Sequence, residues 1–512
     1  MPAPFPAASV LTARGKEDQL KTSLRAALSI VLLIGFYVLG LGLVVALGRL
    51  GLSDATDFDG GVVVRVFLLG AAFTLFLTLV FALGSVLLAR PSTPVGVRLT
   101  PELAPELWRI VRDLAARVAA REPDEIRLVV GANISVTDDA RLLGLLPGQR
   151  RVILGLPLLQ AYTVDQLRAV LAHELGHYSR WHTTTVLLAH RGRKLVVATA
   201  RSTTVPVLRA VLTGYARLHV AAEQAISQQI EYKADQYAVG AAGRDAMVGA
   251  LREIRVVAAA WDEYLERHVT PAQEAGYLPA DLFDGFAAYL AAHREEVRSS
   301  TGEVASIGRA WWDTHPPIGE RIAALRFVPD VTVAVDGRPA TDLLVDLDES
   351  SRQLQTSFLD HAGELLPWAQ IVPILAYRSA RDLAHPLYQA ATKLTGRDAG
   401  LDLVLDLFAA DRYADLAREL TPGANDEDGL HALVAAFEGA VETAAVDSAA
   451  ATEWRHSWSG PPELLTTSGT PLPLGELVEL AGDPDTVPTA RERLSALGIR
   501  VASTTRGAPA PA

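Results

Sequence analysis

Ala26 to Gly48 is a run of 23 residues without a charge, and Val66 to Ala89 is a second such run. Each is long enough to cross a bilayer as a helix, which takes about 20 apolar residues. A cleaved signal peptide has a shorter apolar stretch, of about 7–15 residues, so both runs read as retained spans. Asp54, Asp57 and Asp59 lie in the link between them. The pair predicts a transmembrane helical hairpin over 26–90, preceded by a flexible tail over 1–25. Four basic residues, Arg14, Lys16, Lys21 and Arg25, precede the first span; Arg49 and Arg65 lie between the spans; Arg90 and Arg98 follow the second. The positive-inside rule then places both ends of the hairpin, and the domain behind it, in the cytoplasm. The expectation is a multi-pass protein of the plasma membrane, with the lipid bilayer as one partner. A net charge of −12 argues against nucleic acid as another.

Beyond Pro91 and Pro94, which mark a boundary, the stretch 163–180 carries chemistry. Thr163 and Gln166 have the spacing of a capping box, Asp165 suits the first turn, and Leu167, Val170, Leu171, Leu175 and Tyr178 recur at helical spacing. Inside this helix lies His173-Glu174-Leu175-Gly176-His177. Residues four apart share a helix face, so His173 and His177 can hold one metal ion between them. Glu174 is rotated by about 100° from His173, beside the metal rather than on it, as a general base requires.

A catalytic zinc site uses three protein ligands and leaves a position for water. The chain has no Cys, so His and carboxylates must supply them. Glu231 is the favoured third ligand, because Asp235 follows it by four residues and can accept the second ring N–H of a ligating His. Glu223 competes, but the residue four on from it is Ser227, a poorer acceptor. His182, five residues past His177, points to a different face, and His190 and His219 lie in basic, apolar surroundings. The reading is one Zn2+ per chain, held by His173, His177 and Glu231, with Glu174 as base and Asp235 behind the ligands.

The rest of the chain reads as mainly α. Helical spacing covers 100–121, and Ile126 to Val130 is a short strand. Leu142 to Leu146 and Arg151 to Leu156 suggest a hairpin around Pro147-Gly148. Residues 181–220 are apolar but interrupted by Arg191, Arg193, Lys194, Arg201, Arg209 and Arg217, so no full span fits there. A further helix is expected over 221–239, helices over 245–325 with breaks at Pro271, Pro279 and 314–317, and a strand over Val331 to Val335. An α+β metallopeptidase-like domain is thus placed at 91–328, and an acidic, mostly helical region at 329–512.

H-E-x-x-H followed by E-x-x-x-D on a later helix, behind N-terminal spans, resembles the membrane zinc metallopeptidases of the HtpX type and the prenyl-protein (CAAX) protease type. Gly155-Leu-Pro-Leu-Leu159 and Thr314-His-Pro-Pro317 with Glu320-Arg321-Ile322 extend the likeness over residues 26–326. The resemblance implies a zincin-like fold and an endopeptidase acting on protein or peptide substrates, in quality control or processing at the membrane. It implies that Asn133-Ile-Ser-Val136 lies at an edge strand that receives substrate, that His315 reaches the developing oxyanion, and that Arg321 braces that region. His315 is equally placed to cap the helix that Pro316-Pro317 opens. Many HtpX-type members have two further spans between the His helix and the Glu helix, where this chain is too charged for one. The rival from another class is a membrane-anchored interaction protein whose zinc site is structural; Glu174 argues against it, since such a site needs no base.

Overall fold

The computed structural model describes residues 14–53, 61–88, 94–139, 148–179, 192, 196–203, 205–304, 316–359 and 363–501. The chain divides into two compact units, one formed by residues 1–262 with 294–360, the other by 263–293 with 361–512.

The first unit opens with two long helices, α1 (Arg14–Gly51) and α2 (Gly61–Leu88). Both are long and apolar enough to cross a membrane. Their outer faces show why water is the wrong solvent for them: Val31, Val38, Phe73 and Phe81 are all more than 60% exposed. A small mixed sheet follows, built from β1 (Val97–Leu99), β2 (Glu125–Val129), β3 (Ile134–Asp138) and β4 (Arg150–Gly155), in the order β1-β2-β4-β3. β2 and β4 run parallel, while β1 and β3 pair antiparallel at the two sides. The first strand of the hairpin expected around Pro147-Gly148 lies outside the described residues, and β4 takes β3 as its antiparallel neighbour.

Helix α3 (Pro105–Arg117) buries Leu107, Ile110, Val111 and Leu114, the stripe that its periodicity predicts. A short helix, α4 (Leu156–Ala161), leads from β4 to the His-bearing helix α5 (Val164–Gly176). Thr163 caps α5, and both halves of the capping box with Gln166 are present. Helix α6 (Pro206–Ala242) is one continuous 37-residue element, longer than the 221–239 expected. Pro206 starts it, where a fixed φ and a missing N–H cost nothing. Its first half packs Leu208, Leu212 and Ala216 against Phe36, Leu75 and Leu79 of the two apolar helices. Its second half packs Ala238, Val239 and Ala242 with Ala169 of α5, with Met247 and Leu251 of α7 (Arg244–Tyr264) and with Leu325 of α8 (Ile318–Leu325). One rod therefore runs from the apolar hairpin to the His-bearing helix.

Residues 331–337 are not a strand: they pair with no strand among the described residues, and Val335 is 90% exposed. The segment after them folds back on the start of α5. Asp336 donates its N–H to the Asp165 carboxylate at 2.6 Å, Val164 donates to Arg338 O at 2.9 Å, and Pro339 bridges to Thr163. These bonds tie residues 336–339 to the start of α5, within the first unit. The second unit takes residues 263–293 from the middle of the chain, where β5 (Tyr277–Pro279) pairs in parallel with β6 (Glu364–Leu366).

The rest of the second unit is helical, with an antiparallel pair of β7 (Ala451–Arg455) and β8 (Glu463–Thr466). The helix Asp426–Asp447 also has the length and composition of a span, but half of it is buried inside this unit. Leu433, Phe437 and Val441 on it pack with Leu387, Leu405 and Leu494, which makes it the central helix of an ordinary core.

Candidate metal centre and active site

Helix α5 and its capping residue His177 deliver two imidazoles, and α6 delivers two carboxylates. His173 Nε2 and His177 Nε2 lie 3.2 Å apart. Glu231 approaches both, with Oε2 at 3.4 Å from His173 Nε2 and Oε1 at 3.6 Å from His177 Nε2. Tetrahedral zinc with bonds of about 2.0–2.1 Å separates neighbouring ligand atoms by roughly 3.3–3.4 Å. The three contacts have the dimensions of that polyhedron's edges. Among the described residues these three form the group able to hold a metal ion; Glu223, the competing candidate, is buried but is not part of it.

Close packing sets these distances. A Cβ on Gly176 would sit 2.8 Å from Tyr237 Cδ2 and 3.5 Å from Ala234 Cα, so only glycine lets α5 approach α6 this closely. That contact lies one residue before His177.

Behind the ligands, His173 Nδ1 lies 2.9 Å from Asp235 Oδ1. Arg321 on α8 then donates to both Asp235 oxygens, at 2.5 and 3.0 Å, and lies 3.6 Å from Glu231 Oε2. All four of these side chains are at least nine-tenths buried. Burial alone would push the His173 ring down, but Asp235 and Glu231 outweigh it and lift it to about 9. Burial pushes Asp235 up, yet its bonds to His173 and Arg321 leave it below the ordinary carboxylate range. Two imidazole nitrogens and a carboxylate oxygen are the donor types that zinc takes, and the donor set therefore fits such an ion.

Glu174 is half-buried beside the His pair, and its Oε2 accepts from Val136 N–H of β3 at 3.4 Å. The base candidate thus faces the open edge of the sheet. Asn133 stands just before β3 and is exposed, with its carbonyl bonded to Gly155 N–H of β4, so the outward-facing backbone groups belong to the residues after it. His315 lies outside the described residues. Sequence reasoning did not single out Gly176 or the hydroxyl of Tyr178. The second was read as part of a core stripe, but the ring is only half-buried and its hydroxyl donates to Val136 O at 2.8 Å.

Residues 101–328 match peptidase family M48. Over this part the chain is similar to that family. Two curated relatives are named Protease HtpX, from Pseudomonas putida strains W619 and GB-1; each is 24% identical over 260 residues, covering 47% of this chain and 77% of the relative. No solved structure matches the chain. The M48 match spans β2, β3, β4, α5, α6 and α8, and so includes every residue of the metal-centre geometry described above.

Proposed function

We propose that this protein is a zinc-dependent endopeptidase of the M48 type, anchored by its N-terminal hairpin, that hydrolyses peptide bonds of protein substrates in quality control or processing at the membrane. The observation that carries the reading is the His173–His177–Glu231 triangle at tetrahedral-edge distances, with Glu174 beside it and the edge of β3 alongside. Zinc held by these three groups would supply a Lewis acid that makes water a competent nucleophile near neutral pH.

In this reading Glu174 takes the proton of the attacking water and later delivers it to the leaving amine. Asp235, held by Arg321, keeps the His173 ring in one orientation and one tautomer. An extended substrate adds to the edge of β3 through backbone hydrogen bonds, which tolerate many sequences. The charge bias around the spans puts the catalytic unit on the cytoplasmic side of the cell membrane.

The test is metal analysis together with casein cleavage by the full-length protein in detergent. Wild type should hold one zinc per chain and cleave. Glu174→Gln should keep the zinc, since Glu174 is not a ligand, and should lose activity by about 10²–10⁴-fold. Near-normal cleavage by a fully loaded Glu174→Gln protein would sink the general-base role.

A further inference from the structure

The open edge of the sheet and the end of the His-bearing helix already touch, and they do so at one residue. Asn133 O accepts from Gly155 N–H at 2.7 Å, and Asp139 N–H donates to Gln149 O at 3.0 Å. The odd-numbered residues of β3 therefore turn their backbone groups to β4. The alternation of an antiparallel ladder sends those of Ile134, Val136 and Asp138 outward. Val136 is the middle one, and both of its groups are engaged. Its N–H donates to Glu174 Oε2 at 3.4 Å, and its C=O accepts from the Tyr178 hydroxyl at 2.8 Å.

An extended peptide pairing antiparallel with this edge would exchange two hydrogen bonds with Val136. Glu174 and Tyr178 stand where the peptide's C=O and N–H must go. We propose that Tyr178 is a latch on the substrate edge: its hydroxyl holds the Val136 carbonyl until an incoming peptide N–H displaces it, and so sets substrate affinity. This rests on the peptidase reading given above.

The surroundings suit a side chain that swings. Tyr178 is half-buried, and the Arg150 guanidinium lies 4.8 Å over its ring, so the ring is held from one face. Beside it lies a cleft of about 580 Å³, lined by Ala116, Ala119, Ala120, Arg121 and Arg150. Small side chains on one wall leave room for the displaced ring. The Glu174 contact works in the same direction, because a substrate carbonyl that takes the Val136 N–H turns the carboxylate over to the reaction.

The experiment measures binding of a fluorescein-labelled octapeptide with a reduced central bond to the full-length protein, with and without zinc, and in parallel kcat and KM on the cleavable parent. Tyr178→Phe should bind the pseudopeptide roughly two- to tenfold more tightly in both metal states, the worth of one net hydrogen bond, and raise kcat/KM through KM. A tyrosine with a purely structural role would lower stability or kcat without tightening binding. Unchanged or weaker binding by Tyr178→Phe overturns the latch.

Val136→Pro removes one outward N–H and leaves the ladder to β4 intact, as an edge strand allows; Ile134→Pro does the same one pair along. Either should weaken binding. If both bind like wild type, the peptide does not pair with β3, and the edge reading falls together with the latch. If they bind less tightly while Tyr178→Phe is unchanged, the latch alone falls.

Discussion

Arg321 donates two hydrogen bonds to Asp235, and Asp235 in turn meets Nδ1 of His173 at 2.9 Å. The guanidinium fork fixes a carboxylate plane, and that plane fixes an imidazole. Arg321→Met should therefore weaken zinc binding by about 10–100-fold, the usual cost of losing a partner behind a metal ligand. Arg321→Lys keeps the charge but not the fork and should fall between. Competition against a chromophoric chelator reads the affinity. An unchanged affinity in Arg321→Met would show that Asp235 holds His173 unaided.

Gly176 sets how closely the two site helices pack. In Gly176→Ala the new methyl meets the Tyr237 ring and the Ala234 backbone, and α5 must move away from α6. We expect a loss of about 1–3 kcal/mol, the range for overpacking a tight contact, with lower zinc occupancy because the 3.2–3.6 Å donor spacings widen. Combining it with Tyr237→Ala should restore much of the occupancy by making room. Thermal unfolding and metal content read the two effects. A fully loaded, fully stable single variant would show that this contact does not set the spacing.

Local signals in the sequence were strong where local physics decides the outcome. Thr163 and Gln166 form the capping box that their spacing predicts, and the two uncharged runs form the two long apolar helices. Spacing could nominate Glu231 and Asp235, because a helix fixes the faces of residues four apart. It could not place Arg321 against Asp235, since 86 residues separate them and only the packing of α8 on α6 joins them. The parallel pairing of β2 with β4 is equally non-local. The alternation of Val331, Val333 and Val335 imitates a strand, but among the described residues none offers it a ladder, and its chain end clamps Asp165 instead. The 263–293 segment reads as ordinary helix and turn; its assignment to the second unit depends on residues a hundred positions away, as in the Trp368 indole N–H that donates to the Tyr264 hydroxyl.

Two groups in the second unit give its stability opposite pH dependences. The His268 ring is enclosed by Tyr264, Tyr289, Trp368 and Trp458, and burial, then the charges of His456, His293 and Arg267, push it down to about 4. The folded form stays neutral where the unfolded form takes up a proton, so this contribution is intact above about 6.5 and is lost as the pH falls toward 4. Glu442 is pushed up to about 7 by burial, then by Glu438. The folded form keeps its proton where the unfolded form has released one, so this contribution is intact below 4.5 and is lost as the pH rises to 7. A shift of this size is worth roughly 3 kcal/mol in full, and with part of each group open to solvent about half of that. The two slopes oppose each other between 4.5 and 6.5, and the wild-type profile there should be shallow. Glu442→Gln should be more stable than wild type at pH 7.5 by about 1–2 kcal/mol and should reveal a steep acid limb. His268→Leu should flatten that acid limb. Denaturant unfolding of the full chain, followed by tryptophan fluorescence across pH 4–8, measures both. If His268→Leu in the Glu442→Gln background leaves the acid limb unchanged, the histidine is not its source.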